Sequence, residues 1–392
     1  MATVNAHRVG QQFRNFQRVL DAYAFNEPLS RFLSGFYKEN RQMGSSDRRI
    51  TSRLCYDYFR LGNAVPHLDL REKLTIATFL CETESDLVAS DKPLWLTKMG
   101  APVSEKLSFL EEGGLSIRNQ LFPFVDYLSK SVDKEAFVLS HLTQPDLFIR
   151  VQHGKTDHVE QELQKHAIPF ERVEYNCYRL PNGSRLQDLK KIEGYFEVQD
   201  LSSQQAIHFV DPKPGEKWWD ACAGSGGKSL MLLDTYPHLD LLVSDVRMSV
   251  LRNLKERFQK AHVRAPYHQK ILDLTADISG VIAKESFDGI LLDAPCSGSG
   301  TWGRTPEMMQ PFTVEKLSEF SSLQKKITGN VIPYLKPGGI LLYITCSVFE
   351  AENENIVQFL EKEHGLAVEK MEIIKGYLKK ADSMFIACLR KN

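Results

Sequence analysis

The first ~125 residues place apolar side chains three and four positions apart, the spacing of helices with one buried face. FRNFQRVLDAY (13–23), LSRFLSGFYKEN (29–40), SSDRRITSRLCYDYFRLGN (45–63) and REKLTIATFLCE (71–82) follow it, with Ser46-Asp47 read as a helix start. The glycines and prolines of GAPVSEK and FPF divide the helices that follow. From Ser131 to Gln199 the pattern changes. PDLFIRVQ reads as a strand, HVEQELQKHAI as a helix, ERVEYNCYRL as a strand, LQDLKKIEG as a short helix and YFEVQ as a strand. From Asp200 onward, strands and helices alternate. The strands are KWWDAC, LLVSD, HQKILD, FDGILLDAPC and GGILLYITCS, with SMFIACLR as the last. GGKSLMLLDTY, VLRNLKERFQKA, VEKLSEFSSLQKKITGNVIPYL and ENENIVQFLEKEH are the helices.

Apolar strands in a βαβ series predict a parallel sheet covered on both faces, an α/β doubly wound, Rossmann-like fold. The expected organisation is a helical domain at 1–130, a small α/β subdomain at 131–199 and the doubly wound domain at 200–392. In such sheets ligands bind at the carboxyl ends of the strands.

Charge changes this picture in one place. The net charge of −1 gives no overall attraction to a polyanion, but Arg8 to Arg53 contains nine Arg/Lys against four Asp/Glu. That stretch is either a set of solvated helix faces or a basic footprint for nucleic acid, densest at Arg41, Arg48, Arg49 and Arg53. The start, MATVNAHRVGQQF, has no apolar leader segment, and no run reaches the length of a membrane span. The seven cysteines are scattered, with no C-x-x-C and no paired histidine. This predicts a reducing cytoplasm, no metal site and no disulfide framework.

The strand ends carry the candidate chemistry. The first runs into Asp220-Ala-Cys-Ala-Gly-Ser-Gly-Gly-Lys228, whose glycines let a ligand approach the backbone at a helix N-terminus. A Walker A loop would need glycine at Cys222, and G-x-G-x-x-G fails at Ser229. The second strand ends in Asp245, placed to accept ribose hydroxyls, and the third in Asp273, placed to meet an adenine edge. Each aspartate alone also reads as a turn former. Together they predict a nucleoside crevice without a polyphosphate loop, which S-adenosylmethionine fits.

The fourth strand ends in Asp293-Ala-Pro-Cys296 and the fifth in Thr345-Cys346-Ser347, on strands expected to be neighbours. Cys55, Cys81, Cys177 and Cys388 read as core residues. A thiol beside a methyl donor suits one reaction well. A thiolate that adds to carbon 6 of cytosine makes carbon 5 nucleophilic enough to take a methyl group. Asp293 would hydrogen-bond the N3/N4 edge of the base. Position and chemistry leave open which thiol attacks.

QDLSSQQAI, DACAGSGGKS, SDVR, ILDLT, LLDAPCSGSGTWGRTPE and YITCSVFEAENENIV resemble the successive motifs of the RNA (cytosine-5)-methyltransferases of the Sun/Fmu type. PDLFIRV is similar to the opening of that family's small RNA-recognition-like subdomain, and GSSDRRITSRLCYDYFRLG resembles a helical NusB-like domain. The resemblance runs along the whole chain. It implies Cys346 as the nucleophile, Cys296 as the group that helps release methylated RNA, and Asp293 as the residue orienting the cytosine. It implies that Cys222, Ala223, Gly224, Ser225, Gly226, Gly227, Lys228, Asp245, Asp273 and Asp293 hold S-adenosylmethionine. Arg150 in PDLFIRV and Arg304 in TWGRTPE join the four helical arginines as RNA contacts. The implied partner is RNA, most of all small-subunit ribosomal RNA, acted on by a monomer with no metal and no membrane. Transfer RNA, DNA and a non-catalytic role in ribosome assembly are the rivals. One departure stands out: the family's C-A-A-P-G-G-K-T is CAGSGGKS here. The expected result is a more flexible loop with its Gly226-Gly227-Lys228 core intact and binding retained.

Overall fold

A computed structural model describes residues 5–174 and 176–392. The chain divides into two compact units. The first takes the described residues up to Asp126, together with Asp133–Gln144 and Thr301–Thr313. The second takes Tyr127–Val132, Pro145–Gly300 and Val314–Asn392.

The first unit is helical: α1 (Ala6–Ala22), α2 (Leu29–Glu39), α3 (Ser45–Arg60), α4 (Leu70–Cys81), α5 (Asp86–Asp91), α6 (Val103–Glu112) and α7 (Lys134–Ser140). Helix α1 starts earlier than its apolar stripe because the Asn5 side chain accepts the Arg8 N–H and caps it. Helix α3 starts at Ser45, one residue before the expected Ser46-Asp47 signal, with Gly44 at the cap position. A reciprocal capping box between Asp69 and Glu72 opens α4. Phe16, Val19, Leu54, Phe59 and Leu74 come together in the core. Arg60, at the end of α3, is buried and donates to the His141 carbonyl at 2.7 Å and to Gln144 Oε1 at 2.6 Å. It thereby ties α3 to the returning segment 133–144.

The second unit holds two sheets. The smaller comprises β1 (Leu147–Val151), β2 (Glu171–Glu174), β3 (Cys177–Leu180) and β4 (Phe196–Val198), with α8 (Thr156–Lys165) between β1 and β2. Its order is β2-β3-β1-β4, all antiparallel. Two expectations change here. ERVEYNCYRL is a hairpin of two strands, with Glu174 facing Cys177 across the turn. LQDLKKIEG forms two 3₁₀ turns. Its inward residues Leu186, Leu189 and Ile192 recur every third position, which matches 3₁₀ winding.

After the short α9 (Leu201–Gln204) comes the larger sheet. Its elements in chain order are β5 (Lys217–Asp220), α10 (Gly227–Thr235), β6 (Asp240–Asp245), α11 (Met248–Lys260), β7 (Tyr267–Ile271), β8 (Phe287–Asp293), α12 (Val314–Val331), β9 (Leu335–Thr345), α13 (Glu354–His364), β10 (Leu366–Ile374) and β11 (Met384–Lys391). The strand order is β10-β11-β9-β8-β5-β6-β7. Five neighbours, from β9 to β7, run parallel, and β11 lies antiparallel beside β9. Strand β10 was not expected. It is an edge strand with most side chains in solvent, so LAVEKMEII lacks a buried stripe to betray it. The order of strands along the sheet reverses between β5 and β8, so the crevice lies above these strands, where Asp220 is level with Leu291 and Val243.

Candidate active site

The carboxyl ends of β5, β6, β8 and β9 bring the predicted residues of the larger sheet to one edge. Strand β5 is locked by Trp219, whose indole N–H donates to Ser244 Oγ at 2.9 Å. Ser244 Oγ in turn donates to the Ala221 carbonyl at 3.0 Å. The loop Cys222–Gly226 leaves this anchor and enters α10. Gly226 sits at φ 81°, and a Cβ there would lie 2.6 Å from Leu254 of α11, so only glycine lets the loop turn tightly against that helix. The Gly226 N–H donates to the Ala223 carbonyl at 2.9 Å, and Ser225 Oγ accepts from Arg257 at 3.3 Å. The serine that stands in place of the family's proline is therefore tethered.

Asp245 is buried at the end of β6. It accepts the Gly224 N–H at 3.1 Å and the Arg247 N–H at 2.9 Å, and its oxygens also meet the mostly exposed Arg247 guanidinium at 3.1 and 3.2 Å. Burial opposes its charge, but these donors hold the carboxyl below its ordinary range. Asp273 lies just beyond β7 and is exposed. Its Oδ1 accepts from Thr275 N and Oγ1 at 2.9 and 2.7 Å, so it also forms its own turn.

Lys228 and Asp293 do more than the loop motif implied. Lys228 is buried, and its Nζ lies 2.6 Å from Asp293 Oδ2. Burial works against the ammonium, but Asp293, then Cys346 and Asp220, hold its pKa above the usual lysine range. A firmly protonated amine is thus paired with Asp293.

Cys296 and Cys346 meet because β8 and β9 are parallel neighbours with Asp293 opposite Ile344. The neighbouring Cys346 thiol, then burial, pushes the Cys296 thiol well above its ordinary value. The turn after Cys296 lies directly on the backbone of Cys346: the Gly300 N–H donates to the Cys346 carbonyl at 2.9 Å. A Cβ at Gly300 would sit 2.1 Å from the Ser383 carbonyl oxygen, so the last glycine of LLDAPCSGSG is what permits this approach.

Sequence reasoning gave no role to three buried residues. Asp220 lies under the loop and accepts from Ser229 Oγ. Burial pushes its carboxyl up to about 7. Glu352 and Asn353 belong to the ENENIV run, whose letters were visible but whose burial was not. Asn353 joins the Thr345 hydroxyl at 2.6 Å and the Ser347 carbonyl at 3.0 Å.

The raised Asp220 carboxyl has a consequence for stability. Its folded-state value lies above the ordinary 3.8, so its contribution is intact below pH 3.8 and is lost as pH rises through about 7. Asparagine retains an acceptor for Ser229 but does not ionise. Between pH 5 and pH 8 the native chain is expected to lose about 2–3 kcal/mol more stability than Asp220→Asn. Urea unfolding of both proteins at the two pH values checks this, and parallel losses would contradict it.

The arginine candidates separate. Arg41, Arg49 and Arg53 are exposed on the helical unit, with Arg53 3.5 Å from Glu82. Arg48 is half-buried and donates to the Met43 carbonyl at 2.8 Å. Arg304 is half-buried in the same unit. Arg150 is a correction. It is buried, donates to Gln199 at 2.9 Å and pairs with Asp234 at 2.6 Å. Its guanidinium binds the small sheet to α10 and offers no surface to RNA.

Among the described residues no group of three or more His, Cys, Asp or Glu side chains could hold a metal ion. No helix there is long and apolar enough to cross a membrane.

Ribosomal RNA small subunit methyltransferase B of Xylella fastidiosa (strain 9a5c) is 39% identical over 161 residues, which are 41% of this chain and 38% of that protein. The protein of the same name from Serratia proteamaculans (strain 568) is 30% identical over 234 residues, 58% of this chain and 54% of its own length. The chain thus spans about half, or less, of the curated relatives it matches. Among solved structures, PH0851 covers 99% of both chains with a TM-score of 0.74 at 20% identity. NSun6 from Pyrococcus horikoshii, crystallised with SFG, covers 69% of this chain and 97% of its own, with a TM-score of 0.59 at 18% identity. These structural likenesses establish the fold. The family described as 16S rRNA methyltransferase RsmB/F matches residues 207–388. That stretch carries every strand-end residue of the site, and it is similar to the RsmB/F methyltransferase family.

Proposed function

We propose that this chain transfers a methyl group from S-adenosylmethionine to carbon 5 of a cytosine in RNA, with small-subunit ribosomal RNA as the substrate. The observation that carries the reading is the meeting of Cys296 and Cys346 at adjacent strand ends, beside the Lys228–Asp293 pair. Two thiols at one edge suit a covalent route that needs one group to attack and another to assist departure.

The residues present fit the methyl donor. Burial, then the carboxyls of Asp220, Asp293 and Asp245, hold the Cys222 thiol above its ordinary range, so these three acids converge on the crevice. A Cβ at Gly224 would meet nothing within 4 Å, so the loop backbone borders open space. Asp245 stands where a ribose diol would be received, at the cost of displacing only the exposed Arg247 side chain. When bound, S-adenosylmethionine supplies an electrophilic methyl group on a sulfonium.

In this reading the Cys346 thiolate adds to carbon 6 of the target base. The ring electrons then reside at carbon 5, which takes the methyl group. Loss of the carbon-5 proton restores the double bond and expels the Cys346 sulfur, with Cys296 beside it to assist. Asp293, fixed by Lys228, orients the exocyclic edge of the base. The target cytosine must be unpaired or flipped out, because carbons 5 and 6 are attacked from the ring face.

Labelled S-adenosylmethionine with total ribosomal RNA, and separately with transfer RNA, tests the function. Incorporation into small-subunit RNA as 5-methylcytosine is expected. Incorporation into transfer RNA alone would move the substrate, and no incorporation into any RNA would sink the enzymatic reading. The helical arginines are tested separately. Arg41→Ala with Arg49→Ala is expected to weaken RNA binding and to reduce the salt slope of log affinity by about 1 per residue. Filter binding across a salt series measures it, and an unchanged slope would remove both residues from the RNA footprint.

A further inference from the structure

Glu352 ends the short turn after β9 and is fully buried. Four donors converge on its carboxylate. The Ser297 N–H and Gln324 Nε2 reach Oε1 at 2.8 and 3.2 Å. The hydroxyls of Ser297 and Ser347 both reach Oε2 at 2.5 Å. Ser297 is the residue after Cys296, and Ser347 is the residue after Cys346. One carboxylate therefore grips both cysteine-bearing turns. Ser299 reinforces the link: its hydroxyl lies 3.1 Å from Ser347 Oγ and accepts the Val348 N–H at 3.1 Å. Glu352 is itself held from below, since the Tyr343 hydroxyl donates to its carbonyl at 2.8 Å.

We propose that Glu352 is a positioning residue that sets the relation of the two thiols. One carboxylate oxygen holds the hydroxyl that follows each cysteine, so the two turns are fixed to one another and not only to their own strands. The Ser297 N–H and Gln324 on the other oxygen keep the carboxylate from turning away. The use made of this geometry rests on the cytosine-methylation reading, but the geometry can be measured without RNA or S-adenosylmethionine.

The experiment is alkylation of the full chain by iodoacetamide from pH 6 to pH 10, with Cys296 and Cys346 followed as separate peptides by mass spectrometry. In Glu352→Gln the Cys296 alkylation profile is expected to move to lower pH, because the buried carboxylate disfavours its thiolate. A Cys296 profile that does not move in a folded Glu352→Gln protein overturns the proposal. A second protein, Ser297→Ala with Ser347→Ala, leaves the carboxyl in place but cuts its grip on both turns. Cross-linking of the two thiols by dibromobimane is expected to fall severalfold there, and unchanged cross-linking also overturns the proposal. A native protein that cross-links readily but methylates no RNA would sink the functional reading and leave this one standing.

Discussion

Replacing Cys346 by serine is expected to lower methyl transfer by at least about 10³-fold, because a hydroxyl is a far weaker nucleophile than a thiolate toward carbon 6. The substitution keeps the size and a hydrogen-bonding group, so folding is expected to survive. The companion change, Cys296→Ser, should act differently. It leaves the attacking sulfur intact but removes the neighbouring thiol. Attack then proceeds while release falters, and a covalent protein–RNA adduct should accumulate. Denaturing gels of each variant with RNA and S-adenosylmethionine report the adduct, and methyl incorporation reports turnover. Full activity in Cys346→Ser would overturn its assignment as the nucleophile. An adduct in Cys346→Ser, and none in Cys296→Ser, would exchange the two roles.

Lys228→Met is expected to cost about 3 kcal/mol of stability or more, as breaking a buried ion pair leaves one charge uncompensated. The Lys228 side chain is only 10% exposed and that of Asp293 29%, so water cannot fully replace the missing ammonium. Activity should fall further than stability alone explains, because Cys346 is among the groups that hold the same ammonium charged. Denaturant unfolding and single-turnover methylation, measured well below the unfolding midpoint, separate the two losses. The double replacement Lys228→Met with Asp293→Asn removes both charges and should recover much of the stability without recovering activity. Equal stability of Lys228→Met and the native protein would show that the pair contributes little to folding.

The sequence alone determined the plan of the fold and which strand ends carry the candidate residues. Strand periodicity and strand-end residues are local properties, and a strand whose two faces are buried announces itself as an apolar run, as in FDGILLDAPC and GGILLYITCS. The order of Asp220, Asp245, Asp293 and Cys346 along the chain sufficed to put them on one edge, because parallel βαβ connections return each strand in the same direction. Residues whose role is set by a distant partner were not legible. Arg150 looked like a surface arginine in a family motif, and only packing places it against Asp234, 84 residues away. Strand β10 was hidden because an edge strand buries too little to impose a pattern. Lys228 read as the end of a glycine loop until folding set its amine against Asp293. Glu352 was one acid among several in EAENENIV, and its importance appears only when Ser297 and Ser347 arrive from two different strand ends. Local pattern fixes which strand end a residue occupies. The charge and the hydrogen bonds that reach it come through space, from residues that local pattern does not connect.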